Sequence, residues 1–265
     1  MALPPPDADS TCLVTGASSG IGADIARALV ARGHGVTIVA RRTERLEKLA
    51  AELRDRKGVR VEIVACDLGD ADARQRMRAE VEERGLTVEV LVNNAGFGSA
   101  GRFDRLDLER ELEMVRLNAE AVVDLCGRYV TAMVQRGRGA VLNVASTAAF
   151  QPLPRQATYS ASKAFVLTFT DALHEDLAGT GVTATTLCPG PVKTEFLSTA
   201  GLDWEGLPDF IWSESAVVAE AGVQGLEKGR RVVVPGVVNR AGALGGQHVP
   251  RGLLLKVAGK VYPVG

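Results

Sequence analysis

Near the start of the chain a short apolar run, Thr11 to Val14, passes straight into Thr15-Gly16-Ala17-Ser18-Ser19-Gly20-Ile21-Gly22. A helical pattern over residues 20–32 follows and stops at Gly33. Gly16, Gly20 and Gly22 are spaced G-x-x-x-G-x-G, which is not the G-x-G-x-x-G dinucleotide fingerprint, but the physics is shared. A glycine turn lets a pyrophosphate approach the backbone, and the helix N-terminus behind it offers N–H groups and a partial positive charge. A strand that feeds a helix through such a turn restricts the chain to α/β architectures, and the remaining pattern agrees.

Strand-like runs recur at Val36–Ala40, Arg60–Ala65, Val88–Val92, Ala140–Val144, Val182–Leu187 and Arg231–Val234. Helical patterns fill the intervals at residues 43–56, 70–84, 107–136, 157–178 and 214–227. This alternation predicts a doubly wound α/β fold, a parallel sheet of about seven strands with helices on both faces. The strand runs lack a clean period of two, as expected for strands buried on both sides. With 46% of 265 residues apolar the core is ample, and no internal repeat or low-complexity linker divides the chain. One domain over residues 1–265 is expected, with a flexible N-terminus at 1–9 and a basic, apolar tail at 236–265.

Tyr159-Ser160-Ala161-Ser162-Lys163 places a phenol and an ammonium one helical turn apart on one face. A free tyrosine titrates near about 10, and a nearby cation lowers that value towards the range of a general acid or base. Ser146 follows the strand that ends at Ala145, at a strand C-terminus, where open α/β sheets bind ligands. The end of the second strand reads Ala40-Arg41-Arg42, and the first acid is Glu44. A dinucleotide whose ribose carries a free 2′-OH usually meets an acid there. Two guanidinium groups instead favour a 2′-phosphate, and hence NADPH over NAD; otherwise they simply open an exposed helix.

Taken together and in order, the glycine turn, Asp67, Asn93-Asn94-Ala95-Gly96, Asn118, Ser146, the Tyr159–Lys163 pair and Cys188-Pro189-Gly190 resemble the short-chain dehydrogenase/reductase family over roughly residues 10 to 235. The resemblance implies a Rossmann domain that binds NADP(H) through Gly16, Ser18, Ser19, Gly20, Ile21 and Gly22, with Arg41 and Arg42 at the 2′-phosphate. It puts Asp67 on the adenine amino group, Leu68 beside the ring, and Asn94, Ala95 and Gly96 beside the ribose and pyrophosphate. Pro189, Gly190, Val192 and Thr194 would hold the carboxamide. Tyr159 would give the proton, Ser146 would hydrogen-bond the carbonyl oxygen, Lys163 would hold the ribose and lower the tyrosine pKa, and Asn118 would position a water. Because each of these positions is filled, a carbonyl reductase is expected, running in reverse as an alcohol dehydrogenase, rather than a nicotinamide-sensing protein without turnover. Helices 107–136 and 157–178 carry apolar residues on more than one face, and in the family they form the interface of a homo-oligomer, dimer or tetramer.

The segment 195–212 corresponds to the family's substrate lid and holds Phe196, Trp204, Phe210 and Trp212, which points to a hydrophobic ketone, aldehyde or β-ketoacyl substrate. Glu195, Asp203, Glu205 and Asp209 argue against polyanions, although Arg155 could meet a carboxylate or a phosphopantetheine. A net charge of −1 gives no field for nucleic acid. Cys12, Cys66, Cys126 and Cys188 are scattered, as for free thiols in a reducing cytoplasm, and His34, His174 and His248 have no metal-ligand spacing. No signal peptide and no membrane-spanning run is evident, so a cytoplasmic location is expected. No acid follows Glu227, and a helix from Leu253 would separate Leu254, Val257 and Val261 from Lys256 and Lys260. That segment is expected to pack on its own domain or a neighbouring subunit rather than in a membrane surface.

Overall fold

The protein is described from a computed structural model covering residues 3–196, 200–201, 211–248, 252 and 255. Strands β1 (Ser10–Thr15), β2 (Val36–Ala40), β3 (Val61–Ala65), β4 (Thr87–Asn93), β5 (Gly139–Val144), β6 (Val182–Leu187) and β7 (Val232–Val233) form one sheet. Its order is β3-β2-β1-β4-β5-β6-β7, and every pairing is parallel. Between them lie α1 (Gly20–Ala31), α2 (Thr43–Lys57), α3 (Ala71–Glu83), α4 (Leu108–Val115), α5 (Ala121–Arg136), α6 (Ala157–Asp176) and α7 (Ser215–Glu227). The doubly wound parallel sheet expected from the alternation is therefore present.

Alternate residues of β1 show how the layers divide. Cys12 and Val14 pack with Ile25 and Leu29 of α1, Leu46 of α2 and Val223 of α7. Leu13 packs on the other face with Met77 of α3, Leu125 and Met133 of α5 and Val166 of α6. All residues of β1, β2 and β5 are buried, so their apolar residues do not alternate with exposed polar ones, and the few polar side chains among them, such as Thr37 and Asn143, are buried as well. A fully buried aliphatic side chain such as Leu13 contributes about 1.5–3 kcal/mol, so two such layers supply most of the driving force. The edge strands β3 and β7 are less covered.

The strand order reverses between β1 and β4: β1 is followed outward by β2 and β3, while β4 is followed by β5, β6 and β7. Loops leaving the C-terminal ends of β1 and β4 run to opposite sides, and a crevice opens there. Buried Arg74 of α3 supports one wall by donating 2.7 Å to the Leu68 carbonyl while pairing with Glu120 and Asp124.

Three local features depart from the sequence expectations. The long helix over 107–136 is interrupted by a π-helical turn, Arg116–Glu120, that contains Asn118. Part of the tail at 236–265 is a helix, α8 (Val237–His248), although Gly242, Gly245 and Gly246 lower its intrinsic propensity. Tertiary contact explains it, because α8 packs beside residues 147–150 and buries Ala243. At the other end of the chain, Leu3 is buried in the core and Asp7 closes a turn with Ser10. Of the helix expected from Leu253, Leu255 alone is among the described residues, where it is helical and exposed. Among the described residues no helix is long and apolar enough to cross a membrane.

Candidate active site

The crevice at the strand reversal is knitted by one hydrogen-bonded cluster. Thr15 Oγ1 donates to the Val92 carbonyl at 3.0 Å and accepts from the backbone N–H groups of Asn94 and Ala95 at 2.9 and 3.1 Å. The Asn94 amide donates back to the carbonyls of Thr15 and Gly16 at 2.9 and 3.3 Å. This draws the turn after β1 against the segment after β4. Gly16 sits at φ +65°, and a Cβ there would lie 2.8 Å from the Ala95 Cα. At Gly22 a Cβ would meet the Gly16 carbonyl oxygen at 2.5 Å. Gly22 thus serves packing beneath the turn, and unlike the other glycines of the motif it does not line the crevice.

The crevice has a volume of about 530 Å³ and gathers nearly all the residues singled out from the sequence. Gly16, Ser18, Ser19, Gly20 and Ile21 form one lip, with Arg41 and Arg42 after β2 and Asp67 and Leu68 after β3 beside them. Asn94, Ala95 and Gly96 form the floor, and Ser146, Tyr159 and Lys163 form the far wall. Pro189, Gly190, Val192 and Thr194 close the remaining side. Helices α3 and α4 are capped by the carboxylates of Asp70 and Asp107, whereas α1 has neither a side-chain cap nor an acid in its first turn. Its N–H groups face the crevice at the glycine turn, which suits a diphosphate.

The two arginines have different surroundings. Arg42 donates to the Ser18 and Ser19 hydroxyls, each at 2.9 Å, and to the Glu195 carboxylate at 3.0 Å. Arg41 lies 3.8 Å from Asp67 and 3.5 Å from Glu113. Arg42 is therefore the guanidinium turned towards the glycine lip, and Arg41 borders the Asp67 side. Arg45, in the first turn of α2, also holds Glu195, at 2.6 Å.

On the far wall, the Lys163 ammonium donates 2.9 Å to the Val144 carbonyl at the end of β5. It lies 6.0 Å from the centre of the Tyr159 ring. The Ser146 hydroxyl accepts from the Ala148 N–H at 3.1 Å and reaches the Pro189 carbonyl at 3.5 Å. Asn118 is buried just behind: its side chain accepts from the Phe97 N–H at 3.2 Å and donates to the Phe97 carbonyl at 2.9 Å and the Ser162 hydroxyl at 3.1 Å. Asn118 does not line the crevice. It fixes the segment after Gly96 to the helix that carries Tyr159 and Lys163, from a π turn, a geometry often found at functional sites.

A family model described as short chain dehydrogenase matches residues 10–203. An uncharacterized oxidoreductase of Myxococcus xanthus is 41% identical over 191 residues, 71% of this chain and 74% of that protein. A putative ketoacyl reductase of Streptomyces coelicolor is 41% identical over 184 residues, 69% of this chain and 70% of its own. Among solved structures, a short-chain dehydrogenase from Sphingobium yanoikuyae in complex with NADPH superposes with a TM-score of 0.81 at 34% identity, covering 92% of this chain and 94% of that one. The chain belongs to the short-chain dehydrogenase/reductase family.

Burial governs how the Tyr159 phenol and the Lys163 ammonium titrate in this crevice. Burial pushes the Tyr159 hydroxyl up to about 12, against a hydrogen bond from Ser146 that favours the phenolate. Burial also pulls the Lys163 ammonium down to about 8. The expected lowering of Tyr159 by Lys163 is not met in this arrangement. The ammonium gives its hydrogen bond to Val144, and desolvation of the phenol dominates. Desolvation likewise raises the thiols of Cys66, to about 11, and of Cys126 and Cys188, to about 12, so none is poised as a nucleophile.

The part of the crevice beside Tyr159 is lined by Phe97, Ala148, Leu153 and Phe196, and the Phe196 ring centre stands 5.5 Å from that of Tyr159. Trp204 and Phe210 lie outside the described residues. Gln151 and Gln156 also line it and were not anticipated, because a lone glutamine in a loop carries no spacing signal. Their one clue is position, between Ser146 and Tyr159. Arg155 is the one described non-glycine residue with positive φ, at 70°, and it does not line the crevice. If Lys163 must be cationic, kcat/KM for reduction should hold through neutral pH and fall as the pH rises through about 8, because that titration belongs to the free enzyme. Lys163→Arg, which keeps its charge, should move the falling limb upward by at least about one pH unit. A profile that stays flat to about pH 10 would remove the ammonium from the reaction.

Proposed function

We propose that this chain is an NADP(H)-dependent carbonyl reductase, reversible as an alcohol dehydrogenase, acting on a hydrophobic ketone, aldehyde or β-ketoacyl substrate. The observation that carries this reading is the far wall: Ser146, Tyr159 and Lys163 in one crevice, at the strand ends opposite the glycine lip. Bound dinucleotide supplies a hydride. The glycine turn and the uncapped start of α1 suit its diphosphate, and Arg42 with Ser18 and Ser19 suits a 2′-phosphate through charge-assisted hydrogen bonds. Asp67, Leu68 and the floor residues Asn94, Ala95 and Gly96 would receive the adenosine and ribose. Pro189, Gly190, Val192 and Thr194 would receive the carboxamide.

In this reading Tyr159 donates its proton to the carbonyl oxygen, and the high pKa imposed by burial keeps that proton available at neutral pH. Ser146 donates a hydrogen bond to the same oxygen where negative charge develops. Lys163 holds the ribose, and Asn118 keeps the helix and the floor in register so that proton exchange with solvent can pass behind Lys163. The NADPH complex of the Sphingobium relative and the ketoacyl reductase description of the Streptomyces relative support the cofactor and the carbonyl chemistry. Phe97, Leu153 and Phe196 support an apolar substrate.

Self-association is part of the same proposal. Leu108, Leu112 and Val115 on α4, Val123 on α5 and Phe165 on α6 are each at least 40% exposed, although the opposite faces of α5 and α6 are buried in the core. A surface row of this kind fits a second copy of the chain better than water. Light scattering at micromolar concentration should return a dimer or tetramer; a monomer would refute the interface.

Tyr159→Phe should cut kcat at least about 100-fold, roughly 2.7 kcal/mol of barrier, while the dinucleotide still binds in titration. Activity within about tenfold of the parent would take Tyr159 out of the mechanism. With any accepted carbonyl, kcat/KM should be higher with NADPH than with NADH. Equal values, or a preference for NADH, would overturn the cofactor assignment.

A further inference from the structure

Three consecutive residues after β6 touch three different parts of the crevice. Thr194 lies over the glycine turn, its Cγ2 only 3.1 Å from where a Cβ on Gly20 would stand. Phe196 faces the Tyr159 ring. Between them Glu195 reaches across to α2. One of its carboxylate oxygens accepts from Arg42 at 3.0 Å, and both accept from Arg45, at 2.6 and 2.7 Å. The remaining nitrogens of Arg42 are directed at Ser18 and Ser19. Arg42 is thus held between the glycine lip and a carboxylate that comes from the opposite rim of the same crevice.

We propose that Glu195 is a specificity-determining residue that competes with the cofactor's 2′-phosphate for Arg42. This rests on the reading of Arg42 as the 2′-phosphate ligand. A phosphate monoester carries a charge of about −1.5 to −2 near neutral pH and asks for the same guanidinium face. A carboxylate already seated there must give up part of its pairing with Arg42. A ribose ending in a 2′-hydroxyl makes no such demand. Glu195 therefore weakens NADP(H) and leaves NAD(H) nearly untouched, which narrows the preference set by Arg42. Arg45 gives the carboxylate a second partner when Arg42 turns to phosphate. Arg45 and Arg42, in that order, hold the Glu195 carboxyl below its usual range, so it is an anion throughout neutral pH. Both ion pairs are solvent-exposed, so the competition is modest and weakens with salt.

The test is isothermal titration of the full chain with NADP⁺ and with NAD⁺ at one fixed, low ionic strength, for the parent, Glu195→Gln, Arg42→Ala and the double variant. Glu195→Gln should lower the Kd for NADP⁺ by about threefold and leave that for NAD⁺ within about twofold. Any effect on the shared diphosphate cancels in the ratio. In the Arg42→Ala background the same Glu195 change should no longer alter the ratio, as expected for two groups that act through one contact. The proposal is overturned if Glu195→Gln shifts both cofactors equally, if it leaves NADP⁺ unchanged, or if its effect persists without Arg42. Should Arg42→Ala alone leave the ratio of the two Kd values unchanged, the underlying assignment of the 2′-phosphate site fails, and the proposal fails with it.

Discussion

The site depends on the hydrogen bonds between Thr15 and Asn94 at the point where the strand order reverses. β1 and β4 are neighbours in the sheet, yet their loops leave towards opposite sides, which would ordinarily leave two carbonyl-rich strand ends facing an open gap. Thr15 Oγ1 and the Asn94 amide satisfy those groups side by side, and in doing so they fix the distance between the glycine turn and the floor of the crevice. The absence of a side chain at Gly16 follows from this contact, since Ala95 occupies the space a Cβ would need. The start of α1 is aimed into the crevice for the same reason.

The opposite wall is held by burial. Lys163 and Asn118 are polar groups placed among apolar ones, a costly arrangement unless each finds partners. Lys163 finds the Val144 carbonyl, and Asn118 finds both backbone groups of Phe97 and the Ser162 hydroxyl. These bonds join β5, the loop after β4 and α6 into one rigid frame around Tyr159. Desolvation then sets the acid–base character of the wall, by raising the phenol and lowering the ammonium. The Arg42–Glu195–Arg45 group on the rim contrasts with it, because exposed charges screened by water can exchange partners at little cost.

The fold could be read from the chain because its signals are local. Apolar runs, helical spacing and glycine positions marked the seven strands and most of the helices, with ends displaced by one or two residues. The exceptions have tertiary causes. The π turn around Asn118 keeps a buried side chain on the Phe97 backbone, a partner far away in sequence. Helix α8 forms in a glycine-rich stretch because residues 147–150 give it a surface to pack on.

The same division runs through the site. Sequence alone determined which groups the chain brings to the site, since a tyrosine and a lysine one turn apart, a serine at a strand end and a glycine turn before a helix are patterns of neighbouring residues. The tertiary structure decided how those groups behave. It made Gly22 a packing residue and Gly16 a lip of the crevice, separated the neighbouring roles of Arg41 and Arg42, and replaced the expected influence of Lys163 on Tyr159 with that of desolvation. It also brought Glu195 to Arg42 from 153 residues away. Charge pairing and burial depend on distances through space, and those are set only when the sheet and its two helical layers have packed.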